Sequence, residues 1–277
     1  MTGSSDTGYQ LGSDAAELAR LDLQGRVLAP ATRKILETVG LSSGMRVLDL
    51  GSGAGDMAFV AAELVGPGGE VVGLDQSPEA VAKATLRAEV RGLSNVRFVV
   101  GDIHDQAPDG PYDAIVGRLV LMYVPDPEAV LRTQAVSLRD RGVVAPIEFD
   151  LDSARSLPST PLVAQAQSWL RDMFTRAGID PSLGPRLWAV LRAAGLRPLG
   201  MIGVQPHLGP DDPDAAAILA GIVRTVLPLI ERTGVATAAE VGAETLEQRL
   251  SDELAAAGAV FAHPALISAW GTAYQAR

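Results

Sequence analysis

The chain has 277 residues, 47% apolar and 20% charged, with a formal net charge of −10, which fits a globular enzyme with a sizeable core and argues against nucleic acid as a partner. It contains no cysteine, so disulfides, thiolate metal sites and cysteine nucleophiles are excluded, and no metal site is expected. The opening "MTGSSDTGYQLGSDAAE" has no basic and apolar signal pattern, and no run of about eighteen uninterrupted apolar residues occurs; a cytoplasmic protein with no membrane span is the expectation.

From Ser13 or Asp14, "SDAAELARLDLQGRVLAPATRKILETVG" reads as a two-part helix interrupted at Pro30. "RVLDL" and "EVVGLD" then read as buried strands flanking a helix "DMAFVAAELVG" that ends at Gly66. Ser77 and Pro78 supply an N-cap and first helical proline for "EAVAKATLRAEVRG". "VRFVVGD" is the third strand, "YDAIVGRLVLMYV" holds a fourth, a helix starts at Asp126 and Pro127, and "GVVAPIEFD" is the fifth strand. Strand and helix alternate through residues 45 to 150, which predicts a parallel sheet with helices on both faces.

Beyond Asp150 consecutive helices take over. "STPLVAQAQSWLRDMFTRAG" and "GPRLWAVLRAAG" precede a strand "LGMIGVQP"; "AAILAGIVRTVLPLIERTG" is predicted to bend or split at Pro228. "ETLEQRLSDELAAAG" spaces Leu246, Leu250 and Leu254 four apart, and "ALISAWG" offers a last strand. The expected division is a helical lead-in and lid over 1–44, a nucleotide-binding core over 45–150, and helical insertions forming a substrate cap, with the last sheet strands, over 151–277.

The segment "VLDLGSGAGD" carries the strongest chemical signal, because a glycine turn between the first strand and first helix lets backbone approach a ligand at the carboxyl edge of the sheet. A dinucleotide fingerprint needs glycine three residues after Gly53, where this chain has Asp56, a carboxylate that repels phosphate. The pattern D-x-G-x-G-x-G instead resembles the first motif of the class I S-adenosylmethionine-dependent methyltransferases. "GLD" ending at Asp75, "VVGDIHD" and "PYDAIVGRLVLMYVPDP" are similar to further motifs of that family, and the resemblance covers about residues 45 to 150. The lead-in and the tail through "ISAW" resemble a bacterial small-molecule subgroup related to the quinone-methylating enzymes.

The resemblance implies a Rossmann-like, mostly parallel seven-stranded sheet with helices on both faces, N-terminal helices and a helical lid. It implies S-adenosylmethionine as cofactor, giving S-adenosylhomocysteine. Asp49, Gly51, Ser52, Gly53 and Gly55 would surround its methionine end, Asp75 its ribose, and Gln76, Gly101, Asp102 and Ile103 its adenine; Gly117 and Arg118 would line the methionine portion, and Tyr9 and Leu11 would fold over it. Where the family has a proline-glycine-glycine turn, "LRDRGVVA" keeps only Gly142, which predicts an altered turn away from the cofactor.

Methyl transfer to a hydroxyl or an acidic carbon needs a base near the methyl group. His104 and Glu148 are the candidates, each with an alternative as a surface or capping residue; Asp150 is a lesser one. Arg118 ends a buried strand and needs either a cofactor carboxylate or a nearby acid. Met122, Tyr123, Trp169, Met173, Phe174 and Trp188 are candidates for an apolar acceptor pocket, with core packing as the alternative. His207 is a loop residue or a substrate contact, and His263 is read as structural. The absence of thiols argues against arsenite as acceptor, and "GRLV" stands where an asparagine-proline-aromatic signature for base amino groups would lie.

The expected function is methyl transfer to a small, largely apolar organic acceptor in secondary metabolism, with oxygen preferred over carbon or nitrogen. A non-methylating cyclisation or elimination on the same cofactor fold is the alternative, and a cofactor-sensing binding protein a third. A homodimer through the added helices is a further expectation.

Overall fold

The computed structural model describes the backbone of residues 15–273 and the side chains of 23–273. Tyr9, Leu11, Ser13 and Asp14 lie outside the described residues. In chain order the elements are α1 (Ala15–Val39), β1 (Arg46–Leu50), α2 (Asp56–Val65), β2 (Glu70–Asp75), α3 (Pro78–Val90), β3 (Val96–Val100), β4 (Tyr112–Arg118), α4 (Pro127–Ala135), β5 (Leu138–Asp150) and β6 (Arg155–Leu157). Then follow α5 (Pro161–Arg176), α6 (Leu187–Ala193), β7 (Leu196–Val204), β8 (His207–Leu208), α7 (Pro213–Arg232), α8 (Ala238–Val241), α9 (Leu246–Ala257), β9 (Val260–Ala262) and β10 (Ala265–Ala273). Short 3-10 turns lie at Leu121–Tyr123, Leu151–Ser153 and Gly184–Arg186.

Seven strands form one sheet in the order β3-β2-β1-β4-β5-β10-β7. The first five are parallel, and β10 runs antiparallel between β5 and β7. This is the expected Rossmann-like, mostly parallel architecture. Period-two alternation divides each strand between two cores: Val47, Val71, Ala114 and Ala145 face α1 and α2, while Leu48, Val72, Ile115 and Val144 face the layer of α4 and α6. The caps read from the sequence are present. Ser77 Oγ accepts from the Ala80 amide at 3.2 Å and Asp126 Oδ1 from the Ala129 amide at 2.8 Å, each contributing about 1 kcal/mol.

A third core belongs to α5, α7 and α9, which pack together over a small antiparallel sheet of order β6-β9-β8. Leu246, Leu250 and Leu254 all point into it. Helix α7, with mean hydropathy 1.6, is long and apolar enough to cross a membrane by length and composition, yet here its apolar face packs against α1, α5 and α9.

One proline reading is corrected and the other narrowed: α1 runs through Pro30 as one piece, and α7 runs through Pro228 without splitting. Each proline removes one intrahelical hydrogen bond, and tertiary burial on both sides outweighs that loss. The altered turn before the fifth strand takes a specific form: β5 already starts at Leu138, opposite Tyr112, and the register shifts between Tyr112 and Ala114 while Arg141 takes a left-handed φ of 65°.

Candidate active site

The carboxyl edge of β1 opens into a turn built on left-handed backbone, with φ of 60° at Gly51, 52° at Gly53 and 90° at Gly55. The three glycines are required for different reasons. A Cβ on Gly51 would lie 2.5 Å from Val120 and one on Gly55 2.7 Å from Phe59, so protein neighbours fill those places. A Cβ on Gly53 would meet nothing within 4 Å. Only Gly53 therefore presents its bare backbone to open space, a narrower role for the turn than three glycines pressed on a ligand.

Asp75, at the end of β2, ties this turn to its neighbour: Oδ2 accepts from the Gly53 amide at 2.8 Å and Oδ1 from the Ser77 amide at 2.9 Å. A carboxylate has about four acceptor sites, so two remain for ribose hydroxyls. Gly73 gives the turn its depth, since a Cβ there would strike Phe98 and sit 2.8 Å from Ser52 Oγ. Asp56 opens α2 and is paired with Arg87 at 2.8 Å, and Arg87 also donates to the Ala54 carbonyl at 2.6 Å. The start of α2 is thus closed by an ion pair, which agrees with rejecting a pyrophosphate there.

Beneath the turn Asp49 is 1% exposed, and its Oδ2 has no hydrogen-bond partner. Burial pushes its carboxyl up to about 8; Arg118 opposes the shift, and Asp75 and Asp56 add to it. Arg118 sits on the same face and donates to Thr32 Oγ1 of α1 at 2.8 Å. Burial lowers its pKa, with Asp56 and Asp49 acting against that. Within the protein its hydrogen bond goes to a helix hydroxyl and not to a nearby acid, with two acids in electrostatic range.

The loop after β3 is exposed at Asp102 and His104, and Asp102 Oδ1 receives the His104 amide at 2.9 Å and lies 2.7 Å from Nδ1. Those His104 contacts hold Asp102 below its ordinary pKa. His104 therefore braces Asp102 at the surface and does not line the cavity described below. Buried Gln134 of α4 holds the same loop by donating to the Ile103 and Asp105 carbonyls at 2.6 Å each. Gly101 leaves room for Leu74, and Gly117 for the Leu50 carbonyl. Gln76 is exposed at the end of β2.

Glu148 is fully buried. Its Oε1 accepts from the amides of Val120 at 3.0 Å and Leu121 at 2.7 Å, so it caps the turn after β4, and Oε2 has no partner. Burial pushes its carboxyl up to about 8 against the pull of those amides. It is a capping residue, though of the turn after β4 and not of the segment that follows β5, and it does not line the cavity described next.

That cavity lies at the carboxyl ends of β4 and β5, between the sheet and helices α5 and α7, with about 710 Å³ of empty space including its open mouth. Met122 and Tyr123 line it as expected, with Phe149, Leu170, Phe174, Leu219, Ile222 and Phe261; Gln24, Gln167, Thr225 and His263 are its polar members. The other expectations are corrected. Trp169 and Met173 turn into the core of the added helices, Trp188 is 41% exposed on α6, and His207 is exposed on β8 with Nδ1 3.0 Å from the Gln205 carbonyl. A helix bearing an apolar stripe buries it against other helices first, and only its margin reaches the cavity. His263 was read as structural; it is buried in the cavity wall, as is Gln167. The signal available in the sequence was a single titratable residue within the apolar run "VFAHPALI".

Residues 41–178 match the family described as "Methyltransferase domain". Over that segment the chain carries a methyltransferase domain and is similar to the class I S-adenosylmethionine-dependent methyltransferases. The chain is 39% identical over 114 residues to nocamycin O-methyltransferase of Saccharothrix syringae, covering 41% of each, and 46% identical over 100 residues to an arsenite methyltransferase of Aquipseudomonas alcaligenes, covering 33% of this chain and 29% of that one. It thus spans less than half the length of both curated relatives. Among solved structures, a SAM-dependent methyltransferase from Aquifex aeolicus superposes with a TM-score of 0.53 at 22% identity, covering 69% of this chain and 93% of that one, a likeness of fold.

The methyltransferase cofactor fits the residues present. Asp49 offers an orphaned buried carboxylate oxygen suited to a cationic amino acid end, Gly53 an uncovered backbone, and Asp75 spare acceptor capacity. Among the described residues no group of three or more His, Cys, Asp or Glu could hold a metal ion.

Proposed function

We propose that the protein transfers a methyl group from S-adenosylmethionine to a small, largely apolar organic acceptor, with oxygen as the receiving atom. The observation that carries this reading is the cavity's position: the loop that begins at Gly117 and Arg118, on the cofactor side, continues through Leu119, Met122 and Tyr123 into the cavity wall. A parallel sheet binds ligands at this edge, and an apolar pocket with a few polar groups suits a small molecule.

When bound, S-adenosylmethionine supplies an electrophilic methyl on a sulfonium, so the chain's task is to orient the acceptor and exclude water. In this reading Asp49, Gly53 and Asp75 hold the cofactor, with Asp102 and Ile103 beside its adenine. Glu148 fixes the loop between the two sites, and α5 and α7 close the cavity as a cap formed by residues 151–277. Helix α1, from the 1–44 segment, covers Arg118 through Thr32. The absence of cysteine separates the expected acceptor from that of the arsenite relative.

The test is a panel of phenolic, carboxylic and amine acceptors incubated with the purified protein and S-adenosylmethionine, following S-adenosylhomocysteine and product mass. A product heavier by one methylene with matching S-adenosylhomocysteine supports the reading. Acceptor conversion without S-adenosylhomocysteine would replace it with a non-methylating reaction on the same fold.

A further inference from the structure

His263 follows β9 and carries four polar atoms, three of which are committed. Its amide donates to the Pro206 carbonyl at 3.0 Å, its carbonyl accepts from Gln205 Nε2 at 2.9 Å, and Nδ1 lies 3.1 Å from the Pro264 carbonyl. A carbonyl only accepts, so Nδ1 carries the proton and Nε2 holds a lone pair. Nε2 is buried without a partner.

The ring is also fixed laterally. Its centroid is 5.5 Å from that of Phe149 and 6.2 Å from that of Phe261, and all three residues line the cavity. Gln167, which also lines the cavity, has a second buried acceptor, Oε1, with no partner. Two orphaned acceptors in an apolar pocket each cost about 1–3 kcal/mol until a donor reaches them. Burial pushes the imidazole down to about 4, so it stays a neutral acceptor near pH 7.

We propose that His263 Nε2, supported by Gln167, is a specificity-determining acceptor that selects a small aromatic ligand bearing a hydroxyl donor. This rests on the proposed acceptor role of the cavity and names its substrate class. A hydroxyl on an apolar body supplies the donor these atoms lack, and it is the group the proposed oxygen acceptor carries. A site built to accept a hydroxyl hydrogen bond rejects the analogue lacking the donor, because the buried acceptors are then left unpaired.

The experiment uses 2-naphthol and 2-methoxynaphthalene as probes, titrated calorimetrically against the full chain saturated with S-adenosylhomocysteine. The wild type is expected to bind 2-naphthol at least tenfold more tightly, and His263→Phe, which keeps an aromatic ring and removes the acceptor, to lose that preference. His263→Gln, which restores an acceptor, is expected to recover part of it. Equal affinity for both probes in the wild type, no binding of either, or a preference that survives in His263→Phe would overturn the proposal. S-adenosylhomocysteine affinity and thermal midpoint of each variant show whether it is folded. Failure of the cofactor reading appears separately, as absent S-adenosylhomocysteine binding in the wild type.

Discussion

Gly53 and Gly51 share a left-handed backbone but face different surroundings, and alanine at each should separate cofactor binding from folding. Gly53→Ala places a methyl into open space at a φ of 52°, so its folding cost is the conformational one, about 1 kcal/mol or roughly 2–4 °C in thermal midpoint. That methyl would occupy the surface assigned to the cofactor, so S-adenosylhomocysteine affinity should fall at least tenfold by calorimetry. Gly51→Ala adds a 2.5 Å clash with Val120 and should lower the midpoint further. Wild-type affinity in a folded Gly53→Ala variant would remove Gly53 from the site. At this scale the glycine turn and the strand ends around it were largely legible, because a turn motif keeps its parts close in sequence and each strand end falls at a predictable place. The apolar cavity was not. Met122 and Tyr123 were found because they follow β4 directly, whereas Gln167, Leu219 and His263 meet there only through packing of three distant segments. His104 and Glu148 had the right chemistry in the wrong surroundings: one is exposed beside Asp102, the other is buried under the amides of Val120 and Leu121.

Helix α4 does more than cover the sheet, because Gln134 reaches from its last turn to two carbonyls of the loop after β3. Gln134→Leu keeps the volume and removes both donors, leaving two carbonyls without this partner. Stability should drop by about 1–3 kcal/mol. The loop carrying Asp102 and Ile103 would also loosen, so S-adenosylhomocysteine should bind more weakly while a free methionine analogue, lacking adenine, is unaffected; equal losses for both would refute an adenine-side role for the loop. Most elements were readable from alternation and caps, since Ser77, Asp126 and the four-residue leucine spacing in α9 act locally. The prolines misled because a local rule was applied where tertiary burial decides: Pro30 and Pro228 lie inside helices flanked on both sides by buried residues. Strands β6, β8 and β9, of two or three residues, are too short to show a period, and they pair only after the chain has folded around them.

Across the whole molecule, three buried groups give the ligand-free protein a pH dependence whose sign can be worked out. Asp49 and Glu148 have folded pKa values of about 8, above their ordinary values of 3.8 and 4.5, so the folded state holds their protons more tightly. Their contribution is fully present below the unfolded values and is lost as pH rises through about 8. His263 works in the other direction: its value falls from 6.5 to about 4, so its contribution is present above 6.5 and is lost as pH falls through 4. Between pH 6.5 and 8.5 the two carboxyls outweigh His263, whose unfolded form has at most about half a proton left to lose, and acids held below their ordinary values, Asp102 and Glu70, are already ionised there. The thermal midpoint should therefore fall over that interval, and Asp49→Asn with Glu148→Gln should flatten the slope. A cationic cofactor beside Asp49 favours its ionised form, so S-adenosylmethionine should raise the midpoint more at pH 8.5 than at 6.5, and Asp49→Asn should equalise the two increments. Scanning calorimetry at both pH values, with and without ligand, checks each part. A midpoint that rises with pH would mean that the two carboxyls are ionised in the folded state, and an increment unchanged in Asp49→Asn would mean that the cofactor does not sit against this carboxylate.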